Sequence, residues 1–151
     1  MGKPMMRCLL FLLASATCLP AITPAQVDAI IQVESAGNPR AIGRLGERGL
    51  CQFFPAAWSD TSRWRRAHGL PTYPYTLALD PIAGHEYATS WLTYNEERLT
   101  LALGRRPTIG EVYAAHQLGF AGFKAKGFDL SRCPSITRVV VARLAKATRT
   151  K

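Results

Sequence analysis

Glu34 closes a short apolar segment, Ile30-Ile31-Gln32-Val33, and is followed at once by the turn cluster Ser35-Ala36-Gly37-Asn38-Pro39. A polar loop spaced by Gly43, Gly46 and Gly49 then leads to Leu50-Cys51-Gln52-Phe53-Phe54-Pro55 and Trp58. A carboxylate held against apolar neighbours and facing a glycine-flanked glutamine suits acid chemistry on a neutral polar polymer. In the last turn of a helix a carboxylate gains nothing from the helix dipole, whose C-terminal end is negative. Dipole and burial together are expected to raise the Glu34 pKa, as a general acid requires.

Other chemistries find less support. His68, His85 and His116 fall on separate elements without paired spacing or a Cys/His cluster, so no metal site is expected. There is no Gly-x-Ser-x-Gly elbow and no glycine-rich phosphate loop ending in Lys-Ser/Thr. No cofactor is expected. Taken alone, an isolated glutamate is more often a solvated surface charge, and each aromatic ring near a cleft is as readily core packing as a sugar platform.

The elements that must position Glu34 are mostly helices. Thr23-Pro24-Ala25-Gln26 is a capping box with proline at the first helical position. Ala29, Ile30 and Val33 give the helix it opens an apolar stripe, and Gly37 is its expected stop. A second helix is expected over Pro55–Arg66. The loop His68–Tyr75, rich in proline and tyrosine, leads to Asp80-Pro81, a capped start for a helix running to about Leu103. Ile82, Tyr87, Trp91, Leu92, Leu99 and Leu103 are its expected core face. Thr108-Ile109-Gly110-Glu111 is a second capping box, opening a helix through Leu118, with Gly119 and Gly122 marking a turn. The last helix follows Cys133-Pro134 and carries Val139, Val140, Val141 and Leu144 into a basic tail. Short strands are possible near Ala41-Ile42 and Leu50–Phe53. The expected fold is a mainly α single domain of about five helices with little or no short β-structure.

Length and composition agree with one soluble domain: 151 residues, 48% hydrophobic and 19% charged. Lys and Arg outnumber Asp and Glu by 19 to 10, a formal charge of +9 that favours anionic partners. Basic runs never exceed the pairs Arg65-Arg66 and Arg105-Arg106, and no nucleic-acid-binding signature is present, so nucleic acid is not an expected partner. Lys3 and Arg7 precede the apolar run Cys8–Leu13 and the small residues Ala14-Ser15-Ala16, the layout of a secretory signal peptide. The run is too short to span a membrane; the alternatives are an uncleaved anchor or a buried first helix. Cleavage after Ala16 or Ala21 is expected, giving a leader over residues 1–21 and a domain over 22–151. Loss of Lys3 and Arg7 takes the formal charge from +9 to +7. The product is expected in the periplasm or secreted, with no stable membrane insertion after cleavage. If cleavage follows Ala21, Cys51 and Cys133 remain, and an oxidising compartment makes a disulfide between them an expectation, stabilising by about 4 kcal/mol; cleavage after Ala16 keeps Cys18 as well and makes the count odd. Two separate buried thiols are the alternative.

Glu34-Ser35, Asn38-Pro39-x-Ala41, Gly49-Leu50-x-Gln52-Phe53-x-Pro55 and Trp58, in this order and spacing, resemble the soluble lytic transglycosylase domain. That family shares a lysozyme-like α+β fold with goose-type lysozymes. A looser likeness extends to Ala115-His116-Gln117-Leu118-Gly119, where the family usually shows Ala-Tyr-Asn-x-Gly. The resemblance implies that Glu34 is the catalytic acid and base, that Ser35 orients it and the bound sugar, and that Gln52 contacts the N-acetyl or lactyl groups. Phe53, Tyr113, His116 and Gln117 join them as candidate substrate-contacting residues. His116-Gln117 replaces Tyr-Asn, and the final helix lacks a tyrosine near Ile136-Thr137, so that wall is expected to be built differently, with Tyr113 as a candidate.

The implied reaction is cleavage of the MurNAc–β-1,4–GlcNAc bond of peptidoglycan by one carboxylate, leaving a 1,6-anhydromuramyl end. The runner-up is a muramidase with Glu47 as base, chosen over Asp60, Asp80 and Glu86 as the only carboxylate inside the motif loop. A non-catalytic, basic wall-binding protein is a third reading. A monomer serving a secretion-system or pilus machine is the expectation for partners beyond the glycan strand.

Overall fold

The computed structural model describes residues 22–148. The expected leader over residues 1–21, with Cys8 and Cys18, lies outside them. Among the described residues there are six α-helices, and β-structure is limited to the isolated bridges Ile42–Arg48 and Arg48–Phe53. The segments between Gly43, Gly46 and Gly49 are too short for a ladder, so the expected strands shrink to single pairings.

Helix α1 (Pro24–Ser35) begins with the predicted box: Thr23 Oγ1 accepts from Gln26 N–H, and Gln26 Oε1 accepts from Thr23 N–H at 2.9 Å. Val27, Ile30 and Ile31 face the core, each side chain fully removed from water contributing about 2 kcal/mol. Just before it, Ile22 N–H donates to Glu96 Oε2 at 2.6 Å, tying the chain ahead of α1 to a long helix farther along the sequence. The stop comes one residue earlier than glycine spacing suggested. Ala36 takes the left-handed conformation (φ 52°) and donates to Gln32 O, with Gly37 (φ 76°) continuing the turn.

Helix α2 (Pro55–Ala67) and helix α3 (Pro81–Leu103) pack across a shared aromatic seam. Trp58 stacks on Tyr87 with centroids 3.7 Å apart, and its Nε1–H donates to Tyr73 O. Arg65 is buried in this seam, where its guanidinium donates to Glu86 Oε2, Ser90 Oγ and Pro71 O. Between the two helices, a 3-10 turn (Tyr75–Leu79) occupies what the sequence presented as the end of a loop. Asp80 caps α3 as expected, accepting from Ile82 and Ala83 N–H.

The core face of α3 differs from expectation at one end. Tyr87, Trp91, Leu92 and Leu99 are buried and Leu103 is partly so, but Ile82 is 70% exposed. In the first turn Ala83 and Gly84 face inward instead, where Gly84 lies against Leu50. Helix α4 (Ile109–Leu118) opens with the predicted Thr108–Glu111 box and packs against both α3 and α6. The expected turn at Gly119 and Gly122 contains a short helix, α5 (Phe120–Ala125), because only Gly119 (φ 72°) breaks the helical path. Helix α6 (Ser135–Ala147) buries Thr137, Val140 and Leu144 but leaves Val139 47% exposed.

The expected disulfide is not formed. Cys51 and Cys133 are both free, buried thiols in different settings. Cys51 sits fully enclosed beside the Glu34 carboxylate, whereas the Cys133 thiol donates to Asp129 O (3.6 Å) in the turn before α6. Each behaves as a small apolar side chain. Among the described residues, no helix is long and apolar enough to cross a membrane, and no three His, Cys, Asp or Glu side chains group as metal ligands.

Candidate active site

Glu34 lies in the last turn of α1, its side chain 14% exposed. Facing it from α4 are two side chains one turn apart. His116 places Nε2 3.7 Å from Glu34 Oε1, with its own side chain 9% exposed. Tyr113 directs its hydroxyl at the same carboxylate. Behind the carboxylate is the Cys51 thiol, whose ionisation is pushed up by burial and then by the Glu34 charge. Tyr113 is raised for the same two reasons, so both stay protonated beside Glu34.

The Glu34 pKa departs from the expected direction. Burial is the largest influence and pushes it up, but the hydrogen bond and charge of His116, with the Tyr113 hydroxyl, together pull it below the ordinary carboxylate value. Sequence showed the helix end and the apolar neighbours. It could not show that α4 would bring two donors across the site.

The loop between α1 and α2 forms the other wall. Gly49 N–H donates to Ala41 O, and Arg48 and Phe53 exchange both backbone hydrogen bonds. Gly49 (φ 75°) is required here twice over: a Cβ would lie 1.9 Å from Ala78 O. Gln52 follows in a left-handed conformation (φ 47°), unusual for a residue with a side chain, and such strain concentrates at functional sites. Its Nε2 donates to Gly49 O at 2.8 Å and Ala41 O at 3.4 Å. With the nitrogen committed to the loop, the amide presents its oxygen as acceptor.

The remaining candidates separate. Ser35 Oγ–H donates to Ile31 O at 3.2 Å, so its proton is used within α1. Phe53 is 2% exposed, with its ring against Trp58 and Trp91, and serves the core. Gln117 is exposed on α4, one residue from His116. Thr137 stands where a tyrosine was missed; it is buried with its Oγ1 unpartnered, and Tyr113 supplies the hydroxyl at Glu34. Glu47 is turned into its own loop, its Oε2 accepting from Leu45 N–H at 2.9 Å. His85 pairs with Asp28, and His68 lies on Trp64.

One participant was missed altogether. Trp91 was read as core, yet its indole Nε1–H donates to His116 Nδ1 at 3.0 Å. The 25-residue separation between two helices leaves no local signal for it. Arg98 of α3 lies over the Phe120 ring at 3.9 Å, bracing the start of α5.

A buried-edge carboxylate, a donor pair opposite it and a strained glutamine wall can protonate a polar leaving group and later take a proton back. Neither the curated proteins nor the solved structures return a match to this chain. Residues 11–121 match the Transglycosylase SLT domain, a span that includes Glu34, Gln52, Tyr113 and His116. The chain therefore belongs to the lytic transglycosylase family, whose members cleave peptidoglycan.

Proposed function

We propose that this protein breaks the MurNAc–β-1,4–GlcNAc bond with Glu34 as sole acid and base, leaving a 1,6-anhydromuramyl end. In the first step the Glu34 carboxyl gives its proton to the glycosidic oxygen as the C1–O bond breaks. The substrate's own acetamido group stabilises the electron-poor C1. In the second step the muramyl C6 hydroxyl attacks C1, and its proton returns to Glu34. Filling of the cleft by the glycan removes water from the carboxyl and favours its protonated form at the start of the cycle. Gln52 Oε1 accepts from an N-acetyl or lactyl-linked amide, and Tyr113 and His116 support the carboxylate.

What carries this reading is where the other carboxylates go. An inverting hydrolase needs a second one about 6.5–9.5 Å away to activate water. Each candidate is engaged elsewhere: Glu47 with Leu45 N–H, Asp60 with Arg63, Asp80 as the cap of α3, and Glu86 with Arg65. The groups around Glu34 are a histidine, a tyrosine and a thiol.

The wider setting follows from the substrate. The enzyme acts outside the cytoplasm after removal of a leader over residues 1–21, as a monomer, opening the wall for an envelope machine of the secretion-system or pilus kind. Digestion of purified sacculi by wild type and Glu34→Gln, read by mass, tests the reaction. Anhydro ends from wild type alone support it. Products heavier by one water point to a muramidase, and binding without cleavage by either form points to a wall-binding protein.

A further inference from the structure

We propose that Trp91 is a positioning residue for the acid–base centre: its indole N–H fixes His116 as the Nε2–H tautomer, so that a neutral donor faces Glu34. This rests on Glu34 acting as acid and base. An indole nitrogen can only donate, and a neutral imidazole has one donating and one accepting nitrogen. Since Trp91 Nε1–H meets His116 Nδ1 at 3.0 Å, Nδ1 must offer its lone pair. The ring proton is then on Nε2, the nitrogen 3.7 Å from Glu34 Oε1. A second ring proton would set N–H against N–H where both residues are largely buried.

Trp91 cannot readily turn away. Its ring lies between Phe53 and Tyr94, with centroids 6.4 and 6.0 Å distant, and its carbonyl accepts from the buried Asn95 side chain one turn on. The titratable groups facing the His116–Glu34 pair are Tyr113, on α4 with His116, and Cys51 from the loop; on α3 it meets the indole.

The arrangement matters at both steps. An imidazolium beside Glu34 would hold the carboxylate as an ion pair, and the enzyme would enter the cycle without the proton it must donate. An uncharged ring removes the part of the Glu34 pKa lowering that comes from charge, so a filled cleft can give the carboxyl back its proton. Once it has gone to the glycosidic oxygen, Nε2–H and the Tyr113 hydroxyl stand ready as donors to the new carboxylate without surrendering their own protons. Glu34 thus remains the group that takes the C6 hydroxyl proton.

Long-range proton–nitrogen correlation spectra of the full chain, labelled at histidine and recorded at pH 7.5, read the tautomer without turnover. The expected pattern for His116 is Nε2 protonated and Nδ1 bare; the Nδ1–H tautomer or an exchanging mixture overturns the proposal. The pH profile of sacculus cleavage gives the functional test. In Trp91→Phe, where Nδ1 is free to take a proton, kcat/KM at pH 5.5 relative to pH 7.5 is expected to fall about tenfold further than in wild type. Adding His116→Gln removes the ring and should restore the wild-type ratio. A uniform loss at every pH, or an acid defect that persists in the double variant, reduces Trp91 to packing. If Trp91→Phe does not fold, the wild-type spectrum still decides. Cleavage by Glu34→Gln would overturn the catalytic reading while leaving the tautomer result intact.

Discussion

Two glutamates sit at opposite ends of two helices that meet at the site, and different kinds of partner hold them. Glu111, in the first turn of α4, is saturated: Arg105 donates to both its oxygens at 3.0 and 2.6 Å, and Thr108 N–H donates at 2.7 Å. The helix dipole there favours its charge. Burial pushes its pKa up, but Arg105 and Thr108 outweigh burial and hold it below the ordinary value. Glu34, in the last turn of α1, meets an unfavourable dipole, a histidine at 3.7 Å and a tyrosine hydroxyl, with no Arg or Lys of the described residues paired with it. A carboxylate fixed by charge and short hydrogen bonds is a strut. One met only by a histidine at 3.7 Å and a tyrosine hydroxyl keeps its proton exchangeable.

Exchange of each for glutamine should separate the two roles. Glu34→Gln is expected to lower sacculus cleavage by about a thousandfold or more, since a positioned acid–base group contributes about 10²–10⁴ at each proton transfer. Its thermal unfolding should stay within about 1 kcal/mol of wild type. Tyr113→Phe removes one donor from the carboxylate and should cost about tenfold in kcat, with the fold intact by circular dichroism. Glu111→Gln should do the reverse of Glu34→Gln. Loss of the Arg105 pair and the reciprocal cap is expected to cost about 2 kcal/mol, lowering the melting midpoint by about 5 °C, with cleavage retained at low temperature. Cleavage lost with full stability in Glu111→Gln would break the distinction.

Acid titration sharpens it further. A carboxyl whose folded pKa is depressed contributes stability that is complete above its unfolded value, about 4.3, and is lost as pH falls through the folded value. Wild type should therefore lose stability below pH about 4, and Glu111→Gln should lose less over the same range, as followed by chemical denaturation. The smallest expected effect is none: with Cys51 and Cys133 free, added reductant should leave the melting midpoint unchanged. A fall of several degrees would mean that the two are bonded in solution.

Where signals are local, sequence was enough. Both capping boxes, the Asp80-Pro81 start and the placement of Glu34 in a last turn need only neighbours within four residues. Failures occurred where distant surfaces decide. Ile82 and Val139 satisfy helical spacing, but their helices turn those sides to solvent. Arg65, one of a basic pair in the sequence, is enclosed by Glu86 and Ser90 of α3, which no neighbouring residue announces. The Glu34 pKa came out in the other direction because α4 supplies its partners. The family motif pointed to Glu34 and the glutamine loop, whereas the partner that His116 finds in Trp91 shows only in the structure.

The close approach of Gly49 to Ala78 O has a consequence for how the glycan enters. With no room for a single carbon between loop and 3-10 turn, the Gln52 side of the groove is a fixed kerb. On the proposed reading, a strand is expected to be laid along it rather than clamped by it. On that reading, adaptation to different stem peptides would fall to outward side chains such as Ile42 and Leu45, which are exposed beside the kerb.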